Sequence, residues 1–461
     1  MTRASATPPG LVRDVSLAAA VAIILAQVIG TGVFVKARVM TCSVGSPSLV
    51  LLAWLVGGLF TLAGALSYAE LGAMFPRSGG EFHFLRAAYG RATAFLYGWM
   101  QILVGKSGSQ AALAVAFAIF ANDLLGGALP PLARSFVPLA AIALSTALNL
   151  ASVRNNGGLA SALTAIKVAL VAAVAVGAFA FTDGGFEHFG ESGAAASCSD
   201  VPASARFGFA GFGAAVIGAL WGFSGWGNLT LLGAELKNPT RNLPLATLFG
   251  VTLILALYLL ANTAYFFALT PAEVANVPLA SSVAREVAVR AFGAGAAALM
   301  AAGLLASSFG SLHVSMLTGA RIPYALAREG LLPRALAAVS PKQRAPWVAV
   351  LVQGAWASVL ALSGSFDELT DYSVFGGLLF QALAVAAIFV LRRSQPDAPR
   401  PYRAWGYPLV PALYIAATLW LVANTLAATP GRALAGLGLI ALGLPVYAWF
   451  ARTAPAEPSS E

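Results

Sequence analysis

Runs of about twenty apolar residues recur almost without interruption along this chain, and that recurrence decides what it can fold into. A bilayer core some 30 Å thick takes roughly 20 apolar residues per helix. The composition agrees. Of 461 residues, 59% are hydrophobic and 10% are charged, and the mean hydropathy is +0.80. A soluble domain carries roughly a quarter of its residues as charge. Too little charge is present to cover a globule, so lipid is the main solvent.

The runs predict an all-α polytopic protein with twelve helices, at about 15–42, 48–75, 92–122, 134–153, 158–181, 207–236, 244–269, 291–325, 347–364, 367–392, 406–428 and 431–452. The membrane domain is then 14–452, between polar tails 1–13 and 453–461. Turn-forming residues separate the runs: Pro76 to Gly80, Pro130-Pro131, Asn155-Asn156-Gly157-Gly158, Asn238-Pro239 and Pro399-Arg400-Pro401. The first run is long and lacks a small-residue cleavage site, unlike a secretory signal.

The formal net charge is +9, yet the bases sit singly or in pairs between the runs, with no basic cluster or stacking aromatics for nucleic acid. They are topology signals instead. Counting helices puts Arg77, Arg86, Arg91, Lys237, Arg241, Arg328, Arg392 and Arg393 on the side of both termini. The opposite loops hold the acids Asp183, Glu187, Glu191, Asp200 and Glu273. The positive-inside rule then expects both termini in the cytoplasm, the protein lying in a bacterial inner membrane. The two cysteines, Cys42 and Cys198, form no metal or redox motif and fall on the outer side. Two inert thiols are the plainer expectation there, a disulfide the other.

Two helices are interrupted by glycine near their middles. Helix 1 carries Val28-Ile29-Gly30-Thr31-Gly32, and helix 6 carries Trp221-Gly222-Phe223-Ser224-Gly225-Trp226. They lie five spans apart, so the second unit enters the membrane upside down relative to the first. Broken helices at matching places in inverted repeats point to a transporter site. The repeats would cover about 15–181 and 207–392, with helices 11 and 12 (406–452) outside them. Unpaired backbone in lipid costs several kcal/mol per group, roughly, so such a break must line a cavity or meet a ligand. Freed amides at the start of the outer half suit a carboxylate, and freed carbonyls at the end of the inner half suit an ammonium. Together they match an α-amino acid. Close packing of small residues is the alternative explanation of such glycines.

Charges deep in a membrane are rare and informative. Lys167 lies well inside helix 5, where a buried amine can replace a bound cation or change protonation. Lys106, beside Ser109 and Gln110 on helix 3, and His313 on helix 8 are the others. Glu70 and Glu235 fall near helix ends, so no mid-membrane acid offers a counter-charge to a cationic side chain. That favours neutral substrates. Trp221 is the expected gate beside the helix 6 break, whereas Trp226 suits a structural place.

These residues resemble the amino acid–polyamine–organocation superfamily, and within it the L-type amino acid transporter-like branch. The resemblance runs nearly end to end. It rests on Val28 to Phe34, on Gly64 to Gly72 with Ser78-Gly79-Gly80-Glu81, on Ser224-Gly225-Trp226 with Glu235 to Pro244, and on Ala327 to Pro333. It implies a LeuT-type fold of five plus five inverted helices and two more, with sodium-independent exchange or uptake by alternating access. By the same resemblance the amides of Thr31 and Gly32 would hold a substrate carboxylate. The carbonyls of Val28, Trp221 and Ser224 would hold its amino group, with Ile29, Gly30 and Gly222 at the breaks. Ser109 would line the pocket, and Lys167 would stand where sodium-driven relatives keep an ion. Ser224 and Trp221 are bulkier than the residues usual in large-neutral carriers and narrow the site. Animal relatives bond a glycoprotein partner through a cysteine between helices 3 and 4; Asn122 to Arg134 has none, so no disulfide-linked subunit is expected.

The leading expectation is therefore a transporter of small to medium neutral L-amino acids, without cofactor or metal. A carrier of cationic amino acids or polyamines, proton-coupled or exchanging, is the rival within transport. An amino acid sensor that moves nothing is the rival outside it. An enzyme is disfavoured, since no nucleophile–base pair or metal cluster stands out.

Overall fold

The computed structural model describes residues 13–151, 153–192, 198–278, 281–342, 345–364, 366–428 and 430–453. Most of the expected polar tails, 1–12 and 454–461, lies outside them.

Helix is the economical answer to lipid, because it pairs every backbone group within one segment. Span 1 is Leu17–Val28 followed by Gly32–Val44, bent by 41°. Span 2 is Pro47–Met74, span 3 Arg91–Leu124, span 4 Pro131–Ala151 and span 5 Val153–Phe181. Span 6 is Gly208–Gly222 with a 3-10 segment Trp226–Leu231, and span 7 is Pro239–Ala268. Span 8, Ala296–Gly319, runs on into Arg321–Arg328. Span 9 is Trp347–Ser363, span 10 Phe366–Ser394, span 11 Leu409–Ala428, and span 12 Pro430–Ala441 with Gly443–Thr453. Among the described residues ten helices are long and apolar enough to cross a membrane, and the bent pair makes eleven. Span 9, with 17 residues, is the twelfth. At about 1.5 Å per residue it sits at the short end of the crossing range.

Prolines open spans 2, 4 and 7, where their missing N–H is not needed. Gly45, at φ +70°, ends span 1 in the left-handed conformation that favours glycine. Large apolar side chains face outward, among them Phe209, Leu299 and Leu132. The interior instead holds Lys167, Gln110, Asn149 and Arg321. This is a membrane protein turned polar toward its own centre.

Several boundaries differ from the sequence expectation. Asn155 to Gly158, expected as a connector, is helical backbone at the start of span 5. Two glycines cost a helix roughly 2 kcal/mol, less than leaving those backbone groups unpaired at the membrane edge. The sixth helix does not run to 236: it ends at Gly222, and the chain continues as a 3-10 turn. The eighth does not begin at 291. A separate amphipathic helix, Val283–Phe292, precedes it. Two more short helices, Glu81–Tyr89 and Pro271–Asn276, lie in connections where no apolar run marks them.

Cys42 and Cys198 form a disulfide, with Cα atoms 5.5 Å apart. The expectation of two free thiols is therefore corrected. The bond ties Gly32–Val44, the half of span 1 toward the face opposite the basic residues and here called its outer half, to the loop before span 6. Arg38 adds a two-pronged ion pair to Asp200 beside it, at 2.7 and 2.9 Å. That guanidinium holds the Asp200 carboxyl below the usual carboxylate range.

On the face carrying the basic residues, hereafter the basic face, several ion pairs draw the span ends together. Glu70 accepts from Arg392 at 2.6 and 3.0 Å and from the Ala404 amide at 2.6 Å. Glu235 pairs with Arg321 at 3.0 Å, Lys237 with Asp14 at 2.8 Å, and Glu329 with Arg86. The chain before span 1 lies along the exit of span 6, with Asp14 and Val15 amides donating to the Glu235 carbonyl at 3.0 Å.

Candidate functional site

The two breaks meet. A methyl group placed on Gly32 would lie 2.5 Å from the Gly222 Cα, so the outer half of span 1 and the end of span 6 cross backbone to backbone. Gly222 is closed from its other side by the Trp54 ring, 2.6 Å from such a methyl. Glycine is needed at both positions because no side chain fits between them. In span 6 the left-handed Gly225, at φ +100°, turns the chain from the helix into the 3-10 segment.

Around this crossing lies a small cavity of about 20 Å³. Val28, Gly30, Thr31, Gly32, Ser109, Trp221 and Ser224 line it, all of them site residues expected from sequence. Gln27 and Leu113 line it as well and were not expected. Ile29 and Gly222 stand behind the lining, Ile29 wholly buried and Gly222 packed on Gly32. The Thr31 hydroxyl is buried without a hydrogen-bond partner. The first amides of the outer half-helix have no acceptor within their own helix. The lining thus offers hydroxyls, a carboxamide and backbone donors, with no charged side chain among them.

A second cavity, of about 500 Å³, lies on the far side of Trp221. Its walls come from the outer half of span 1 (Lys36, Met40), the loop before span 6 (Asp200, Val201), span 10 (Phe375) and the start of span 12 (Pro430). It opens on the face opposite the basic one. Trp221 borders both cavities and is 6% exposed. Trp226 instead packs on Tyr68, ring centroids 4.6 Å apart, in a structural place.

Three carbonyls at the span 1 break, those of Ala26, Val28 and Ile29, already have protein partners. Lys167 is wholly buried, and its Nζ donates to the Ala26 carbonyl at 2.6 Å and the Ser311 hydroxyl at 2.7 Å. The Ser311 hydroxyl in turn reaches the Ala26 and Ile29 carbonyls at 3.2 and 3.4 Å. The Tyr258 hydroxyl lies 2.8 Å from the Val28 carbonyl and 2.9 Å from that of Gly222. Its one proton serves either, so a single residue of span 7 bridges both breaks. The Val28 carbonyl, expected to take an amino group, keeps a second lone pair for one.

The remaining deep polar residues stand apart from the cavity. Lys106 lies 3.5 Å from the Thr318 hydroxyl, and His313 faces Asn149 at 3.2 Å. Among the described residues no cluster of three or more metal-ligating side chains exists.

The profile of the amino acid permease family matches residues 15–449 of the chain. The serine/threonine exchanger SteT of Bacillus subtilis (strain 168) is 30% identical over 440 residues, covering 95% of this chain and 97% of the relative. The b(0,+)-type amino acid transporter 1 of Mus musculus is 28% identical over 424 residues, covering 91% and 84%. The large neutral amino acids transporter small subunit 2 of Mus musculus is 30% identical over 451 residues, covering 95% and 81%. The chain belongs to the amino acid permease family, within the L-type branch of the amino acid–polyamine–organocation superfamily, and is an amino acid transporter of the membrane.

Proposed function

We propose that this amino acid permease is a sodium-independent exchanger of small to medium neutral L-amino acids, working by alternating access across a bacterial inner membrane. Both termini lie in the cytoplasm, so the basic face is the cytoplasmic one. The two inverted repeats cover about 15–181 and 207–392, and spans 11 and 12 stand outside them.

The observation that carries this reading is the uncharged lining of the cavity at the two breaks. A carboxylate finds backbone amides at Thr31 and Gly32, aligned with the positive end of a half-helix dipole. An ammonium finds the carbonyls of Val28, Trp221 and Ser224. With no acid in the lining, a cationic side chain would stay unpaired in a low dielectric. A volume of about 20 Å³ holds no amino acid, so the site must widen on binding. Rotation of Trp221 joins it to the larger cavity, which makes Trp221 the outer gate. The Lys167 ammonium takes the place of a bound metal cation. It fastens the inner half of span 1, through Ala26, to span 8, through Ser311. No covalently attached subunit is needed, since both cysteines are spent on each other.

The test is flux of labelled amino acids in proteoliposomes. Serine, threonine, alanine or leucine inside should leave only when a neutral amino acid is supplied outside, with identical rates in sodium and choline buffers. Lys167→Ala should lower that rate about ten- to a hundredfold, because it removes two buried hydrogen bonds from an ammonium and weakens the tie between spans 1 and 8. Competition by arginine or putrescine but not by alanine would overturn neutrality, and a steep sodium requirement would overturn the role of Lys167. Binding without flux for every amino acid would make the protein a sensor.

A further inference from the structure

A line of polar side chains runs from the site toward the basic face. Gln27, in the cavity lining, accepts from the Thr318 hydroxyl at 3.3 Å. Lys106 Nζ lies 3.5 Å from that same hydroxyl. Lys106 directly follows a widened helical turn, Gln101–Gly105, which shifts the helix register just before the lysine. Such turns recur at functional places.

Beyond Lys106 lies Glu81, the first residue of the Glu81–Tyr89 helix. It is 7% exposed, and its Oε2 atom has no hydrogen-bond partner. The 3-10 turn of span 6 covers it. A methyl on Gly227 would sit 3.7 Å from the Glu81 carboxylate and 3.1 Å from the Tyr68 ring. The groups facing Glu81 are Lys106 and Tyr97 of span 3, Tyr68 of span 2 and Tyr414 of span 11. Span 6 brings Gly227 and no titratable group. Lys106 is thus the charge that acts on Glu81. Burial pushes the Glu81 carboxyl up to about 7, with the Tyr68 hydroxyl and Lys106 pulling against it.

We propose that Glu81 is the proton-binding element of the basic-face gate, protonated while the gate is closed and ionised once the gate opens and water reaches it. This rests on the transport reading above. When spans 1 and 6 swing away from spans 3 and 8, the Gln27–Thr318–Lys106 line parts and Glu81 is hydrated. Its O–H bond then ionises and the proton passes to water on the basic face; closure takes a proton back from the same side. Glu81 binds its proton more tightly in the closed form. Raising the pH through 7 therefore favours opening, and lowering it holds the gate shut. The couple sets how the cycle answers to pH on that face without requiring net proton transport.

The experiment reads the gate directly. Thr230, on the 3-10 turn of span 6, is 2% exposed. A Thr230→Cys variant in proteoliposomes reacts with a membrane-impermeant thiol reagent from the basic face only when that gate opens; the native cysteines are paired. Its labelling rate, divided at each pH by that of the same cysteine in denatured protein to remove the pH dependence of the thiolate itself, should rise about tenfold from about pH 6 to about pH 8. Added Glu81→Gln should flatten this dependence, and Glu81→Asp should keep it. Lys106→Met removes the charge favouring ionisation and should move the midpoint to higher pH, an arm that stands if Glu81→Gln fails to fold. An unchanged pH profile in Glu81→Gln, or an unmoved midpoint in Lys106→Met, overturns the proposal. Because labelling needs no transported substrate, that failure is distinct from absence of flux in the parent protein, which would overturn the transport reading instead.

Discussion

The two approaches to the site use the same kinds of bond and yet differ in openness. From the face opposite the basic one, a cavity of about 500 Å³ reaches down to Trp221. From the basic face the way is filled by Gln27, Thr318, Lys106, Tyr68 and Trp226, all buried. Both approaches carry ion pairs. On the open side Arg38–Asp200 and the Cys42–Cys198 disulfide join span 1 to a loop on the same cavity wall. On the closed side Glu235–Arg321 links the exit of span 6 to the extension of span 8 across the path itself. The difference teaches where to look for gating. A bond along one wall fastens the wall, whereas a bond across the path has to break for the path to open. The structure is therefore a form open toward the face opposite the basic one, with its site still narrow.

The largest expected effect lies where the two approaches meet. Gly32→Ala forces a methyl to 2.5 Å from the Gly222 Cα, and backbone on both sides leaves nothing flexible to yield. Overpacking of this kind costs roughly 1–3 kcal/mol. Because the crossing serves both the open and the closed approach, exchange in proteoliposomes should fall about a hundredfold. Gly30→Ala meets side chains alone, the tightest contact being the Ser311 hydroxyl at 3.1 Å, and should cost far less. Equal losses in the two variants would mean that the Gly32–Gly222 crossing is not what holds the site.

Much of that crossing was legible in the sequence. Glycine pairs inside an apolar run are costly enough to need a reason, so Gly30-Thr31-Gly32 and Ser224-Gly225 stand out, and so does a lysine as deep as Lys167. The partners were not legible. Ser311, Tyr258 and Thr318 are ordinary residues of apolar helices. Only folding brings Ser311 to Lys167 across 144 positions and Tyr258 to Val28 across 230. Glu81 was hidden differently. It opens a nine-residue helix just after Gly79-Gly80, where the pattern reads as a loop and expects water around a carboxylate. The disulfide was beyond reach because two cysteines 156 residues apart state no geometry.

An intermediate effect is expected on the closed side. Arg321 is 1% exposed, so Arg321→Gln leaves the Glu235 carboxylate buried without its cation. Removing one partner of a buried pair costs roughly 3–5 kcal/mol, and opening toward the basic face relieves part of it by admitting water. Labelling of Thr230→Cys from that face should rise about tenfold, while exchange falls by a similar factor because the form closed on the basic face is now rarer. The double variant Glu235→Gln/Arg321→Gln should return both toward the parent value. Unchanged labelling would show that the pair fastens one wall, as Arg38–Asp200 does.

The smallest effect on transport should come from the open side. Cys42→Ser with Cys198→Ser removes a covalent tie, yet the Arg38–Asp200 pair at 2.7 and 2.9 Å still holds the same loop to the same half-helix. The loss should appear as a lower melting temperature, since a disulfide closing a long loop stabilises by roughly 2–4 kcal/mol. Exchange should stay within about twofold, because the bond crosses no path that opens. A tenfold loss of exchange, restored by chemical cross-linking of the loop to span 1, would mean that this wall moves in every cycle. The distinction between fastening and gating would then fail on the open side, and the loop before span 6 would have to be counted as part of the gate proposed at Trp221.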